Sequence, residues 1–588
     1  MVPPLILRLH AMYQSTADIF GRRSLFALAV LACMSELAYL AILFSSQSLH
    51  EAGTGRHTLL TLLALFAAAF GVYLLAIRIA DRAPQEGRLL RLIVGAGVVF
   101  RLTLLFSDPI EEIDLYRYLW DGSVLAEGIS PFRYSPHQIL AADAETELPA
   151  DLARLVRLRD SAQEMTTILK KVHFGELPTI YPPVSQVVFG LCAWVTPQTA
   201  SLFFRMTLMK AWFAAFDLGT LFLVIRLLRL TGRPIGWSLI YAWCPLVIKE
   251  IANSGHLDAL AFFLTTLAIE RAVSVLFRPV AGPPRTWSAA FPPALLALAC
   301  GAKLYPVILL PLFVLSFQSK FGWKCAGISC LVFAAVVIPL AWPMLPITGH
   351  ASNHAKLEFD PAQVAPQTDD SPPVPPQQVD LAPRDPSESL RAFLREWEMN
   401  DFLFLILIEN IRPAAELPRS ERAWFSIVPE EWRLNMIQRT ESLPGIEAER
   451  ASFFLTRAAT SAGFIVLAIC LAFRASRADE PTRWLSAAFL TVAWFWLLLP
   501  TLNPWYWTWA LPLLPFARNR AWLALGGLVF LYYFRFWLMH HFADSPLLGT
   551  GYCGPMFFDY IVTWLEFGPW FAVLIAGWLS GILRGDDT

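Results

Sequence analysis

Long apolar runs separated by short polar segments dominate the pattern of this chain. Ser24 to Phe44, His57 to Ala80 and Leu89 to Phe106 each approach the ~20 residues that an α-helix needs to cross the hydrocarbon core of a bilayer. Similar runs follow throughout the chain. The pattern predicts an all-α, polytopic integral membrane protein, a helical bundle of roughly 12 to 14 transmembrane helices.

The composition agrees with this pattern. Of the 588 residues, 56% are hydrophobic and 16% are charged, whereas soluble globular proteins carry about 25% charged residues. The formal net charge of -1 gives no electrostatic argument for nucleic acid, whose binding proteins are basic. We therefore expect membrane lipid around the protein and no nucleic-acid partner.

Arginine clusters indicate how the chain is oriented. They precede the first apolar run and flank the connection between the second and the third, as Arg8, Arg22, Arg23, Arg78, Arg82, Arg88 and Arg91. Cytoplasmic segments of membrane proteins are enriched in Lys and Arg, so the N-terminus and this connection are expected in the cytoplasm. The third run then leads outward, and the segment after it is extracytoplasmic.

Two long polar insertions divide the chain into five regions. These are N-terminal transmembrane helices (1–106), a first extracytoplasmic loop (107–202), central transmembrane helices (203–342), a second extracytoplasmic loop (343–450) and C-terminal transmembrane helices (451–588). Residues 181–202 are expected to be interfacial or re-entrant, because another full span there conflicts with the cytoplasmic arginines that follow.

The second loop has two parts of different composition. Residues 359–387 are Pro-rich, polar and almost free of large apolar side chains, which predicts disorder. In the part that follows, Leu390, Phe393, Leu394 and Trp397 have helical spacing. This spacing predicts an amphipathic helix lying on the membrane surface.

The segment "EEIDLYRYLWDG" carries an unusual number of charges directly after an apolar run. It places Glu111, Glu112, Asp114 and Asp121 beside aromatic rings and Arg117. Ionisable groups near membrane depth are costly and usually functional. A solvated loop is the alternative for this segment alone.

Further polar positions are expected at the same outer face, within "KEIANSGHLDAL", "GAKLYP" and "LPTLNPWYWTW". Each has a structural alternative: Lys303 and Arg101 can extend their charges from helix ends, Ser254 can cap a helix, and the tryptophans fit an interfacial belt. These alternatives do not explain why carboxylates, cations and aromatic rings converge. Carboxylates can accept a proton from a hydroxyl, and cations can bind a phosphate.

Several motifs resemble one enzyme family. They are "IDLYRYLWDGSVLAEGISPFRYSP", "IYPPVSQ", "NSGHLDAL", "AKLYPVILLP", "REWEMNDFLF" and "NPWYWTWALPLL". Together they are similar to the GT-C glycosyltransferases that use polyprenyl-phosphate donors, in particular bacterial mannosyltransferase-like members. The resemblance implies a GT-C-like bundle in the bacterial inner membrane. It also implies extracytoplasmic transfer of one sugar, mannose or a similar hexose or pentose, with inversion, to a glycolipid, glycan or protein acceptor.

The resemblance also implies roles for individual residues. The loop aspartate of such enzymes is a catalytic base or a metal-linked acid. Asp114 matches it best, and Asp121, Glu112 and the competing carboxylate Glu111 are open alternatives. The candidate substrate-binding residues are Arg101, Tyr116, Arg117, Tyr181, Lys249, His256, Asp258, Lys303, Tyr305, Asn503, Trp505 and Tyr506. No cofactor is certain. A divalent cation, Mg²⁺ or Mn²⁺, stays open because carboxylates can bind one or act alone.

Two other functions compete with this hypothesis. A transporter (flippase) of lipid-linked sugars would use a charged cavity for passage, but such proteins often have repeated halves, and none is visible here. An enzyme like the O-antigen ligases would need paired cations for a diphosphate. Arg391 and Arg395 are candidates, although their spacing equally fits a helix on lipid headgroups.

Overall fold

The apolar runs fold as helices throughout the described chain. The computed structural model describes residues 4–49, 55–85, 87–143, 147–277, 286–346, 380–415, 417–441 and 448–584. Within these ranges there is no β-strand, and one isolated bridge pairs Met399 with Thr501. An α-helix satisfies its backbone hydrogen bonds internally, as a bilayer requires. The expected all-α polytopic membrane fold is confirmed.

The N-terminal half combines long helices with a layer of short ones. The helices are α1 (Pro4–Gln47), α2 (Gly55–Arg82), α3 (Gly87–Leu105), α4 (Asp114–Ala126), α5 (Pro136–Ala141), α6 (Ala150–Asp160), α7 (Gln163–Lys170), α8 (Pro183–Val195), α9 (Leu202–Leu230), α10 (Leu239–Ala242), α11 (Pro245–Val247), α12 (Asp258–Phe277) and α13 (Thr286–Ala302). A 3₁₀ turn, Ile235–Ser238, precedes α10, and a π-helical turn, Ile248–Asn253, follows α11.

The C-terminal half also combines long and short helices. Its helices are α14 (Leu310–Phe321), α15 (Trp323–Ala341), α16 (Glu388–Glu396), α17 (Leu403–Glu409), α18 (Glu430–Glu441), α19 (Ala448–Ser476), α20 (Pro481–Leu497), α21 (Pro504–Trp507), α22 (Trp522–Leu528), α23 (Phe534–Phe542), α24 (Gly554–Phe557) and α25 (Thr563–Arg584). The 3₁₀ turns are Tyr305–Leu309, Trp342–Met344, Arg419–Glu421, Leu511–Phe516 and Val529–Tyr533, and Phe558–Val562 is π-helical.

Eight segments of the described chain are long and apolar enough to cross a membrane, and the number is nine if the bent pair Ile235–Ala242 and Pro245–Asn253 is one span. The expected count of roughly 12 to 14 is higher because several apolar runs fold into shorter helices. One of these is α8, with 13 residues, or about 20 Å at 1.5 Å per residue. It is too short to cross a bilayer alone.

Arg101 connects three elements inside the bundle. From α3, its Nε donates to Asp217 Oδ2 at 2.5 Å, and its Nη1 donates to the backbone oxygens of Gly97 at 2.9 Å and Ala242 at 2.7 Å. Tyr241 adds a hydrogen bond to Asp217 Oδ1 at 2.6 Å. Both charged side chains are fully buried. Arg101 therefore joins α3, α9 and α10, and the structure does not place it at a substrate cavity.

Within the layer of short helices, α4 packs closely against α8. Gly122 of α4 lies so close to α8 that an added Cβ would be 2.4 Å from the backbone oxygen of Phe189. Tyr118, one turn earlier, stacks on the Phe189 ring at 4.8 Å. This close contact holds the N-terminal end of α4, where Asp114 lies, in a fixed position.

The described part of the second loop packs on the first. Gln138 Nε2 donates to the backbone oxygens of Asp380 at 2.6 Å and Ala382 at 2.8 Å, and Ser389 Oγ donates to Pro178 O at 2.7 Å. These bonds order residues 380–387, so the predicted disorder does not extend to them. Residues 359–379 lie outside the described residues. The predicted amphipathic helix is present as α16.

We expect Arg101→Met to lower the melting temperature of the detergent-solubilised protein strongly. Removing one partner of a buried ion pair costs about 3–5 kcal/mol, because the other charge stays buried and unpaired. Arg91→Met, on the exposed face of the same helix, is the control and should have little effect. Adding Asp217→Leu to Arg101→Met should recover part of the loss. Equal melting temperatures for the Arg101 and Arg91 variants would contradict this account.

Candidate active site

A cavity of about 420 Å³ lies where the two loops meet the helical bundle. Its walls are mostly apolar and aromatic, as is usual for ligand pockets with a few polar groups. The predicted site residues that line it are Glu112, Asp114, Arg117, Tyr181, Lys303, Tyr305, Asn503, Trp505 and Tyr506. The fold thus brings together motifs that are far apart along the chain.

The acidic segment begins the cavity wall at the N-terminus of α4. Glu112 Oε1 accepts hydrogen bonds from the backbone N–H groups of Ile113 and Asp114, both at 3.0 Å, and thereby caps the helix. Asp114 Oδ2 accepts a hydrogen bond from the Tyr181 hydroxyl at 2.9 Å. Glu111, just before them, has a left-handed backbone with φ 49°. Asp114 is thus held at the cavity surface with a fixed orientation.

His256 lies between two carboxylates. Its Nε2 is 3.3 Å from Glu112 Oε2 and 3.2 Å from Glu250 Oε2, and its ring stacks on Trp505 at 4.6 Å. Glu250 belongs to the π-helical turn Ile248–Asn253. Such turns are frequent at functional sites. An imidazolium at this position pairs with both carboxylates and with the ring face beneath it.

The pKa shifts separate the roles of the acidic groups. Burial alone would lower the pKa of His256, but Glu112 and Glu250 outweigh it and raise the pKa to about 10. Burial opposes ionisation of Glu112, yet the neighbouring His256 lowers its pKa to about 2. Burial and the charge of Glu112 raise the pKa of Asp114 to about 6. Asp114 is therefore a carboxylate with more than ordinary basicity beside a permanent ion pair.

Glu111 is a second carboxyl with raised basicity. Burial is the largest cause, Lys249 partly offsets it, and the pKa rises to about 7. Glu111 Oε2 is buried and has no hydrogen-bond partner among the described residues. Like Asp114, Glu111 lines the cavity. Glu111 therefore stays open as a competing carboxylate at the cavity.

Lys303 and Asp258 form a second ion pair. Lys303 Nζ is 2.7 Å from Asp258 Oδ1 and 2.8 Å from Oδ2, and Trp509 Nε1 also donates to Asp258. The ammonium lies 4.5 Å from the centre of the Tyr506 ring, and Tyr305 stacks parallel to Trp509 at 4.1 Å. This group forms a cationic, aromatic wall of the cavity.

Besides Arg101, five predicted residues are not part of the cavity lining. His256 and Asp258 contact the lining residues Glu112 and Lys303, and the other three have different partners. Asp121 is 2% exposed and accepts a hydrogen bond from Gln186 Nε2 at 3.2 Å. It lies two turns beyond Asp114, about 10 Å deeper. Tyr116 is rotated about 200° from Asp114 around α4 and packs near the Lys171 ammonium. Lys249 is buried against Glu250 and Tyr533.

Arg117 lines the cavity, but its guanidinium forms hydrogen bonds with backbone carbonyl groups. Its guanidinium donates to the carbonyl oxygens of Leu177 at 3.2 Å, His173 at 3.0 Å and Phe174 at 2.8 Å. Phe174 has φ 50°, a strained value for a bulky residue. Arg117 therefore stabilises a strained turn that presents the Phe174 ring to the cavity.

Some residues of the cavity were not identified from the sequence. Trp397, Arg457 and Trp509 line it, and Glu250, which is not part of the lining, contacts His256. Glu250 directly follows Lys249 inside an apolar run, and Arg457 lies within a predicted span. A charge inside an apolar run was the available signal for both.

Glu112, Asp114 and His256 also form a candidate cation site. Each offers one ligand atom, and these atoms lie within 4.8 Å of one another. A cation there would have to replace the proton on His256 that already pairs with Glu112, since metals bind the neutral imidazole. The donor set therefore fits an ion pair better than a divalent cation.

We expect the sugar transfer that the sequence resemblance implies to be unchanged by excess EDTA, because His256 supplies the positive charge between the carboxylates. The measurement compares initial rates with EDTA, with EDTA plus excess Mg²⁺ or Mn²⁺, and without additions. Loss of transfer in EDTA that either cation restores would contradict this expectation.

Comparison with known proteins agrees with the site. A family model described as Alpha-(1->6)-mannopyranosyltransferase, N-terminal domain, matches residues 24–319, about half of the chain. No curated protein matches, and no solved structure matches. The matched region contains Asp114, His256 and Lys303. The protein is thus a membrane glycosyltransferase, a mannosyltransferase, and the chain belongs to the MptA_B family of alpha-(1->6)-mannopyranosyltransferases.

Proposed function

We propose that this mannosyltransferase takes one mannose from a polyprenyl-phosphate donor and transfers it, with inversion, to a hydroxyl group of a glycan, glycolipid or protein acceptor. The observation that carries the proposal is Asp114. It lines a largely apolar cavity, has a raised pKa, and is oriented by Tyr181. A base with these properties suits proton transfer near neutral pH.

The proposed reaction is a single displacement. Asp114 accepts the proton of the acceptor hydroxyl, and the acceptor oxygen forms a bond to the anomeric carbon. The bond from that carbon to the donor phosphate oxygen breaks, and polyprenyl phosphate leaves with the electron pair. One base suffices, and no covalent sugar–enzyme intermediate forms. Glu112 does not act as the base, since His256 is paired with it.

The remaining predicted groups have supporting roles in this proposal. Lys303, held by Asp258, stabilises negative charge as the phosphate departs. Asn503 lines the cavity, and its buried Oδ1 has no hydrogen-bond partner among the described residues. That oxygen can accept a hydrogen bond from a sugar hydroxyl. Trp505 and Tyr506 supply the apolar faces against which a sugar ring packs.

The proposed location follows from the arginine distribution. The N-terminus is in the cytoplasm, and the cavity opens on the extracytoplasmic side of a bacterial inner membrane. The long apolar helices support membrane integration. The transporter alternative gains no support, because the matched family is one of transferases. No diphosphate-binding arrangement of Arg391 and Arg395 is present in the described chain either, since Arg391 is paired with Asp385.

Asp114→Asn should reduce the transfer rate about 10²- to 10⁴-fold, the range for loss of a general base. The assay measures transfer of radiolabelled mannose from polyprenyl-phosphate mannose in proteoliposomes. Asp121→Asn is the matched control on the same helix and should keep most of the activity. Full activity of the Asp114 variant, with loss on Glu111→Gln instead, would identify Glu111 as the base.

The transfer rate should rise as pH increases through about 6 and then become constant, because protonated Asp114 cannot accept a proton. Tyr181 donates a hydrogen bond that favours the ionised carboxylate and lowers its pKa. Tyr181→Phe should therefore move the acidic limb of the kcat profile to higher pH. An acidic limb that stays in place in this variant would show that another group titrates.

A further inference from the structure

The three Lys or Arg side chains that line the cavity in the described chain differ in their partners. Arg117 donates to three backbone carbonyls, and Lys303 is bound by both oxygens of Asp258. Arg457 has a single hydrogen bond, from Nη1 to the backbone oxygen of Leu394 at 2.6 Å. No described carboxylate lies within ion-pair distance of it. Its guanidinium also lies 5.9 Å from the centre of the Phe453 ring. Arg457 therefore carries the least compensated of the three charges.

Arg457 lies in an environment where such a charge is costly. It belongs to α19, about two turns from the start of the candidate membrane span Arg450–Ser476. Charges within membrane spans are rare and usually mark substrate contacts. A guanidinium has five donors in a planar fork that matches phosphate geometry. An anion with several oxygens is the ligand that would satisfy it.

The same edge of the cavity is open and apolar. Leu304, Val307 and Leu394 line the cavity but remain 43%, 46% and 44% exposed. Leu304 directly follows Lys303, and Leu394 is the residue that Arg457 contacts. In a membrane-embedded bundle, exposed aliphatic side chains at a cavity edge face lipid. The opening is therefore accessible to an apolar chain that moves within the bilayer.

We propose that this edge is the entry site of the donor. The isoprenoid chain lies across Leu304, Val307 and Leu394, and Arg457 binds the phosphate at its end. The assignment rests on the proposed function. It adds to it a residue that binds the donor phosphate and a path by which the donor enters the cavity. Arg457 is thus a donor-binding residue, and Lys303 lines the same cavity.

The first test is kinetic. Arg457→Gln should raise the KM for polyprenyl-phosphate mannose roughly 10- to 100-fold, the effect of losing a charge-assisted hydrogen bond, and leave the acceptor KM unchanged. Arg457→Lys keeps the charge and should be intermediate. Arg474→Gln, near the other end of α19, is the control. An unchanged KM for the donor would overturn the assignment. An equal rise of the donor KM and the acceptor KM would also overturn it, because it would indicate a structural role for Arg457.

The second test does not require catalysis. Polyprenyl phosphate and polyprenol are titrated separately against the detergent-solubilised protein. Arg457→Gln should reduce the affinity for polyprenyl phosphate and leave that for polyprenol unchanged, whereas Val307→Asp should weaken both. Equal binding of polyprenyl phosphate by wild type and Arg457→Gln would mean that Arg457 contacts only bulk lipid headgroups. If wild type binds as expected but transfers no mannose, the donor site stands and the proposed function fails.

Discussion

A carboxylate in an apolar cavity is stable only when a cation or hydrogen bonds compensate its charge, and this constraint determines the chemistry of the site. His256 provides the compensation by pairing with Glu112 and Glu250. Burial raises the pKa of Asp114, and the charge of Glu112 that is thereby fixed beside it raises it further. One ion pair thus holds the N-terminus of α4 in place and keeps its neighbour basic.

The scaffold positions these groups through short, irregular elements rather than through the long spans. The π-helical turn Ile248–Asn253 presents Glu250, and Asn253 Oδ1 accepts a hydrogen bond from the N–H of Ile110 at 3.1 Å, just before the acidic segment. On the other side, Met399 N donates to Pro500 O at 2.8 Å. This bond joins the second loop to the segment that carries Asn503 and Trp505. Long helices alone would not bring these side chains together.

The sequence predicted the helical class, and nine of the residues that it singled out line one cavity, because charges and aromatic rings stand out against apolar runs. It did not separate Asp114 from Asp121. Both are aspartates on the same helix, and they differ in how far the side chain is buried. The sequence did not reveal the buried ion pair of Arg101, because its partner, Asp217, is more than 100 residues away. Arg457 was missed for the same reason: that a charge lacks a partner is evident only in three dimensions.

A structure of the enzyme with a non-hydrolysable polyprenyl-phosphonate mannose analogue would test the central claim most directly. We predict that the anomeric carbon lies in the cavity with its open face toward Asp114, and that the phosphonate lies between Arg457 and Lys303. An analogue bound with Glu111 or another carboxylate facing the anomeric carbon, or with its phosphonate away from both cations, would contradict it.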